Sequence, residues 1–336
     1  MKINKKILLS LMIALVLVLA PTISAEEITL EDADGFETKV EAPVETIVCL
    51  STSANQIIKA LNSFDKVIAW DENSQEDMFP RPDRELKVVA GNSHSPQIEA
   101  IAELDPDIVI ADTMLQEDHR EKIKSFGIPI IAERTSDPER LLTTISNVGK
   151  IVDKKERAEN LISFITNYRN LIEKRIATLE ESEKKKVYWE WYEPFKTGAK
   201  GSMVNPKIVQ AGGINIALDA KGRYPTVSSE YVWESNPEVI VKQASRGATQ
   251  SEIKKAYNNI INRDSLKSTP AVKNKNVHVI TWDIFSGLPS VVGDLYFAKW
   301  IHPELFEDIN PEEVYSELLS EFFEVEEFTS RVYSEQ

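Results

Sequence analysis

One cysteine, four histidines and twelve glycines in 336 residues close off several classes of protein. Cys49 has no partner for an internal disulfide. It lies in the apolar run Ile47-Val-Cys-Leu50, where a thiol serves as a small buried hydrophobe. His94, His119, His278 and His302 are too dispersed for any short-range metal-ligand pattern, so no bare-metal site is expected. The glycines build no phosphate loop, because Gly198-Ala-Lys-Gly-Ser202 lacks the Gly-Lys-Ser/Thr order. No Gly-x-Ser-x-Gly elbow supplies a hydrolase nucleophile. No catalytic residue and no resident cofactor is expected.

Long apolar runs are also scarce. The single one is N-terminal: Lys2, Lys5 and Lys6 precede Ile7–Ala20, apolar except for Ser10, and Pro21-Thr-Ile-Ser-Ala25 follows. That is the layout of a secretory signal peptide over residues 1–25. The run falls short of the ~20 residues a membrane span needs. Left uncleaved, it would be an anchor. Export to the extracytoplasmic side is expected either way. Basic residues are outnumbered, 39 against 54 acidic, for a net charge of −15. Loss of residues 1–25 removes three lysines and no acids, moving the charge from −15 to −18. Such a surface repels nucleic acid and anionic lipid.

What the chain does contain is a repeat. Ile98-Glu-Ala-Ile-Ala-Glu-Leu-Asp-Pro-Asp-Ile-Val-Ile110 runs in register with Ser229-Glu-Tyr-Val-Trp-Glu-Ser-Asn-Pro-Glu-Val-Ile-Val241. In each, a glutamate (Glu99, Glu230) stands seven residues before a proline (Pro106, Pro237). A short helix should stop at Asp/Asn-Pro, since a residue before proline is driven out of the α region. The β-branched run beyond reads as a strand buried on both faces, as in parallel sheets.

Around these segments strand-like runs alternate with helical ones: Ile47–Leu50, Val67–Trp70, Val88–Val89, Ile108–Ala111 and Ile128–Ile131, then Val187–Trp191, Val239–Val241 and Val277–Thr281. The rhythm is that of βαβ units. Between the two series Leu161, Ile165, Tyr168, Ile172, Ile176 and Leu179 recur at helical steps. Gly149 is a possible break before them. The fold class expected is α/β, two doubly wound lobes joined by one long backbone helix. The divisions are 26–150 for the first lobe, 151–182 for the helix and 183–336 for the second lobe. A last amphipathic helix, Pro311–Phe323, is expected on the second lobe. One heptad-like stretch without a second argues for a monomer.

Seven short segments in order carry a family resemblance: Ile47-Val-Cys-Leu-Ser-Thr-Ser-Ala54, Pro96 to Ile110, Gly198-Ala-Lys-Gly-Ser202, Ala211-Gly-Gly-Ile-Asn215, Val227-Ser-Ser-Glu230, Ala271-Val-Lys-Asn-Lys-Asn-Val277 and Ala298-Lys-Trp-Ile-His-Pro-Glu-Leu-Phe306. The chain resembles the substrate-binding proteins of ABC importers for iron–siderophore complexes, haem and cobalamin. The resemblance implies capture of a metal chelate or tetrapyrrole between two lobes and delivery to a permease whose ATPase subunits supply the energy. It implies that Glu99 and Glu230 dock on permease arginines. It also implies little closure, since one helix bends less readily than paired strands. Rival readings are a bare-metal binder of the same fold, an exported enzyme with the same architecture, and a cell-surface haem or adhesion module.

Open α/β sheets bind ligands at the carboxyl ends of their strands. That rule selects Ser51, Thr52, Ser53, Trp70, Asp71, Ser93, His94, Thr113 and Met114 in the first lobe. In the second it selects Trp191, Tyr192, Lys200, Ser202, Tyr224, Trp282, Asp283 and Phe285. Trp189 is expected in the core. Flat aromatic walls suit a large planar or apolar ligand. Cations near the mouth, Lys196, Lys200, Lys221 and Arg223, are few, which points away from strongly anionic catecholate complexes. A hydroxamate chelate, a corrinoid or a related tetrapyrrole fits better.

Overall fold

A computed structural model describes residues 26–335. The signal-like segment lies outside the described residues. Strands β1 (Glu26–Glu31) and β2 (Glu37–Ala42) form an antiparallel hairpin. Its turn is held by Asp32, whose Oδ1 accepts from the amides of Asp34 and Phe36, each at 3.0 Å.

The first lobe follows as β3 (Ile47–Cys49), α1 (Thr52–Ala60), β4 (Val67–Asp71), α2 (Glu72–Asp77), β5 (Lys87–Ala90), α3 (Ile98–Leu104), β6 (Ile108–Asp112), α4 (Glu117–Ser125) and β7 (Ile130–Glu133). The sheet order is β5-β4-β3-β6-β7, parallel throughout. The chain builds outward from β3 in one direction, then returns to β6 on its other side. The crevice at that reversal is where open sheets hold ligands.

Helices α5 (Pro138–Ile151) and α6 (Lys155–Ile176) form the link. Gly149 does not break the chain's helical path: it sits inside α5, and a Cβ there would stand 2.5 Å from the Ala158 Cβ of α6. The break comes after Ile151, where Asp153 takes a positive φ of 55°. Bare backbone at Gly149 lets the two helices pack closely.

The second lobe contains β8 (Lys185–Glu190), α7 (Val204–Gln210), β9 (Gly213–Asn215), α8 (Ser229–Ser235), β10 (Val239–Ala244), α9 (Gln250–Ile261), α10 (Pro270–Lys273), β11 (Val277–Thr281), α11 (Trp282–Phe285), α12 (Ser290–Ile301), α13 (Pro311–Phe323) and β12 (Val332–Ser334). Its sheet runs β12-β11-β10-β8-β9, parallel except for β12. The reversal here falls between β8 and β10, matching that between β3 and β6. Strands β9 and β12 escaped the sequence pattern because three residues are too short to display alternation.

The repeat folds alike in both lobes, with one departure from expectation. Asp105 and Asn236 leave the α region for the left-handed one, at φ 44° and 55°, rather than for extended backbone. Asp and Asn tolerate that conformation better than most residues, and it caps the helix. Helix α13 packs on the second lobe as expected and also reaches the first. It packs on α12 and on α1 of the first lobe, and Arg157 of α6 donates to the carbonyls of Glu321 and Phe322 at 3.1 Å. It ties both lobes to the spine.

One buried apolar cluster runs through both lobes and α6, including Ile47, Ile110, Leu161, Ile165, Trp189, Phe285 and Leu318. Wide hinge opening would expose this shared core at ~25 cal/mol per Å² of apolar surface. The packing therefore limits relative motion of the lobes.

Candidate ligand cleft and docking surface

The carboxyl edges of the two sheets face one another across a cavity of about 910 Å³. From the first lobe it takes Ser51, Thr52 and Ser53 after β3, Asp71 ending β4, Asn92 and Ser93 after β5, Asp112, Thr113 and Met114 at the end of β6, and Glu133 and Arg134 at the end of β7. From the second it takes Tyr192, Met203, Arg223, Ser245, Arg246, Trp282 and Ser286. A smaller hollow of about 230 Å³ adjoins it, sharing Arg134, Thr135, Ser136, Met203, Arg223 and Ser286, and adds Ser202 and Phe285.

The structure thus brings Ser51, Thr52, Ser53, Asp71, Ser93, Thr113, Met114, Tyr192 and Trp282 together on one cavity. Others lie elsewhere. Trp70 is 4% exposed and packs toward Phe64. His94 is exposed and turned onto Asn92, its amide donating to Asn92 Oδ1 at 2.9 Å. Lys200 is exposed. Trp191 stands behind Tyr192, against Tyr224 with ring centroids 4.4 Å apart. Asp283 is buried and accepts from the Gly247 amide at 2.9 Å. Trp189 is a core residue, stacked on Phe285 at 5.8 Å. His302 is buried, its Nε2 3.0 Å from the Gly212 carbonyl.

The floor is acidic and partly neutralised. Burial pushes the Asp71 carboxyl up to about 6, although the Ser74 hydroxyl and amide hold it and Asp112 lies near. Burial also raises Asp112, against the Met114 amide at 2.7 Å. Glu133 is pushed up to about 7 by burial, outweighing donors from Thr144 at 2.7 Å and Asn147 at 3.3 Å. Cationic groups join the wall from both lobes. Arg134, Arg223 and Arg246 line the cavity, so the expectation of sparse positive charge is corrected: Lys196, Lys200 and Lys221 are not part of it, but three arginines are. Arg134 and Arg246 were missed because β7 and β10 run further than their apolar stretches. Glu133 and Lys242-Gln243 continue the strands as buried polar residues, so the strand ends lie later than hydrophobicity alone places them.

Glu99 and Glu230 are each the second residue of their helices, α3 and α8, and both are exposed. Lys122 pairs with Glu99 at 2.5 Å. Among the described residues no group of three or more His, Cys, Asp or Glu could hold a metal ion.

A sequence profile described as periplasmic binding protein matches residues 47–283, well over half of the chain. The chain belongs to the periplasmic binding protein family. Members of this family are substrate-binding proteins of ABC-type transport. A vitamin B12-binding protein of Vibrio parahaemolyticus is 28% identical over 205 residues, 60% of this chain and 72% of that protein. The molybdate-binding protein MolA of Haemophilus influenzae is 21% identical over 267 residues, covering 72% and 74%. The TroA-like periplasmic binding protein FepB of Veillonella parvula superposes with a TM-score of 0.80 at 21% identity, over 92% of this chain and 100% of that one. That likeness shows the two-lobe fold.

Proposed function

We propose that this periplasmic binding protein is exported, captures a metal chelate or corrinoid in the cleft between its lobes, and presents it to an ABC permease gripped through Glu99 and Glu230. The observation that carries the ligand class is the cavity itself. About 910 Å³ lined from both lobes is at the upper end of the range for cofactor-sized ligands. A bare oxyanion fills a small fraction of it. The wall suits a ligand with hydrogen-bonding edges. Serines, carboxyls and Arg134 face it from the first lobe, and Tyr192, Trp282, Arg223 and Arg246 from the second.

The three arginines and the molybdate-binding relative favour one second reading, capture of an anion. Tryptophan-fluorescence titration of the chain against cobalamin, cobinamide, haem, a ferric hydroxamate and molybdate separates the two. Saturation by one of the metal complexes is expected. Saturation by molybdate alone replaces the ligand class, and silence with all five removes the capture reading.

A further inference from the structure

The two glutamate-bearing helices differ at one telling place. In register with Ala102 of the first lobe stands Trp233 of the second. Trp233 is 52% exposed, although its neighbours on the helix include the fully buried Val232. Its indole Nε1 donates to Ser268 Oγ at 2.8 Å, which fixes the ring against the loop before α10. With Ser229, Glu230, Asp264 and Ser265 the indole lines a surface hollow of about 240 Å³. Asp264 is paired with Lys267 at 2.6 Å, and Glu99 with Lys122 at 2.5 Å. Among the described residues Glu230 has no cationic partner within 4.0 Å.

A hollow with an unpaired carboxylate and a held indole side by side is the complement of a guanidinium. A planar cation can place its N–H edge on the carboxylate and its face on the ring. An ammonium lacks the flat face. We propose that Trp233 is the second anchor of the docking surface: the permease arginine that pairs with Glu230 lies on this indole, so the second lobe is held more tightly than the first. Ala102 offers nothing comparable beside Glu99, and Lys122 competes for that carboxylate. The two ends of the molecule are then unequal in grip. The inference rests on the docking reading of Glu230.

The test is the affinity of the full chain for the permease–ATPase complex of the same importer in lipid nanodiscs. The variants are Trp233→Ala, Trp233→Phe, Glu230→Gln, Glu99→Gln and the Trp233→Ala/Glu230→Gln pair. Trp233→Ala is expected to weaken binding by about 5- to 30-fold, and Trp233→Phe, which keeps a ring but loses the Ser268 bond, by less. Once Glu230 is neutralised, removing the indole should cost little more. If Glu230→Gln weakens binding and Trp233→Ala does not, the anchor is refuted while docking stands. If both glutamate variants bind as the parent does, docking itself fails. Additive losses in the double variant, or a thermal midpoint lowered in both Trp233 variants, also overturn the anchor by making it independent or structural.

Discussion

Arg246 of the second lobe holds its Nε 4.0 Å from Asp77 Oδ2 of the first, across the mouth of the cleft. Arg246 is also part of the cavity wall, as is Asp77. A half-exposed pair of this kind contributes under about 1 kcal/mol. Asp77→Asn is therefore expected to change ligand affinity by no more than about fivefold. Arg246→Ala removes both the pair and a wall group and should cost more. Fluorescence titration of the two variants measures this, and equal losses would contradict a wall role for Arg246.

Glu133 makes a pH prediction. Burial pushes its folded-state carboxyl up to about 7 from the ordinary glutamate value of 4.5, so the native state holds a proton that the unfolded chain has released. Stability must fall as pH rises through that interval. His278 acts in the opposite direction: burial pushes it down to about 3, so its contribution is lost as pH falls below 6.5. His278 is common to parent and variant and cancels in the difference. Urea unfolding of the parent and Glu133→Gln between pH 5 and 7 should differ in slope by up to about 1.4 kcal/mol per pH unit. Parallel pH profiles would show that Glu133 is ionised throughout.

Glu190 anchors the second lobe. Fully buried, it accepts from Arg263 at 2.6 and 3.1 Å, Lys242 at 3.1 Å, Tyr188 at 3.0 Å and the Phe195 amide at 2.9 Å. Glu190→Ala strands two cations beside a buried tyrosine hydroxyl, at an expected cost of about 3–5 kcal/mol. Denaturant unfolding at neutral pH checks it. A loss under about 1 kcal/mol would mean that water replaces the carboxylate without penalty.

Buried polar residues at strand ends mark where sequence reading ran out. The repeat, the parallel strands and the long helix were legible because Ile-Val-Ile and Val-Ile-Val runs and a helical apolar stripe state their burial directly. Helix Pro311–Phe323 fell at its observed bounds, its start being fixed by proline. The cleft was half legible. Ser51, Asp71, Ser93 and Tyr192 follow from the rule that strands present their carboxyl ends to ligand. Arg134 and Arg246 did not follow, because Glu133, Lys242 and Gln243 extend strands with polar side chains whose burial depends on partners distant in the chain. Trp191 misled for the converse reason: an aromatic beside the loop turned out to support Tyr192 from behind.

The proposed hand-over to a permease relies on surface groups separate from the cavity wall. Glu99 and Glu230 do not line the large cavity, so capture and hand-over should separate in one variant. The measurement is ligand uptake into proteoliposomes holding the permease–ATPase complex, made with Glu99→Lys/Glu230→Lys and paired with fluorescence titration of the same preparation. Uptake is expected to stop while ligand affinity stays within about twofold of the parent. Unimpaired uptake, or affinity lost together with uptake, would contradict the assignment of these two carboxylates to docking.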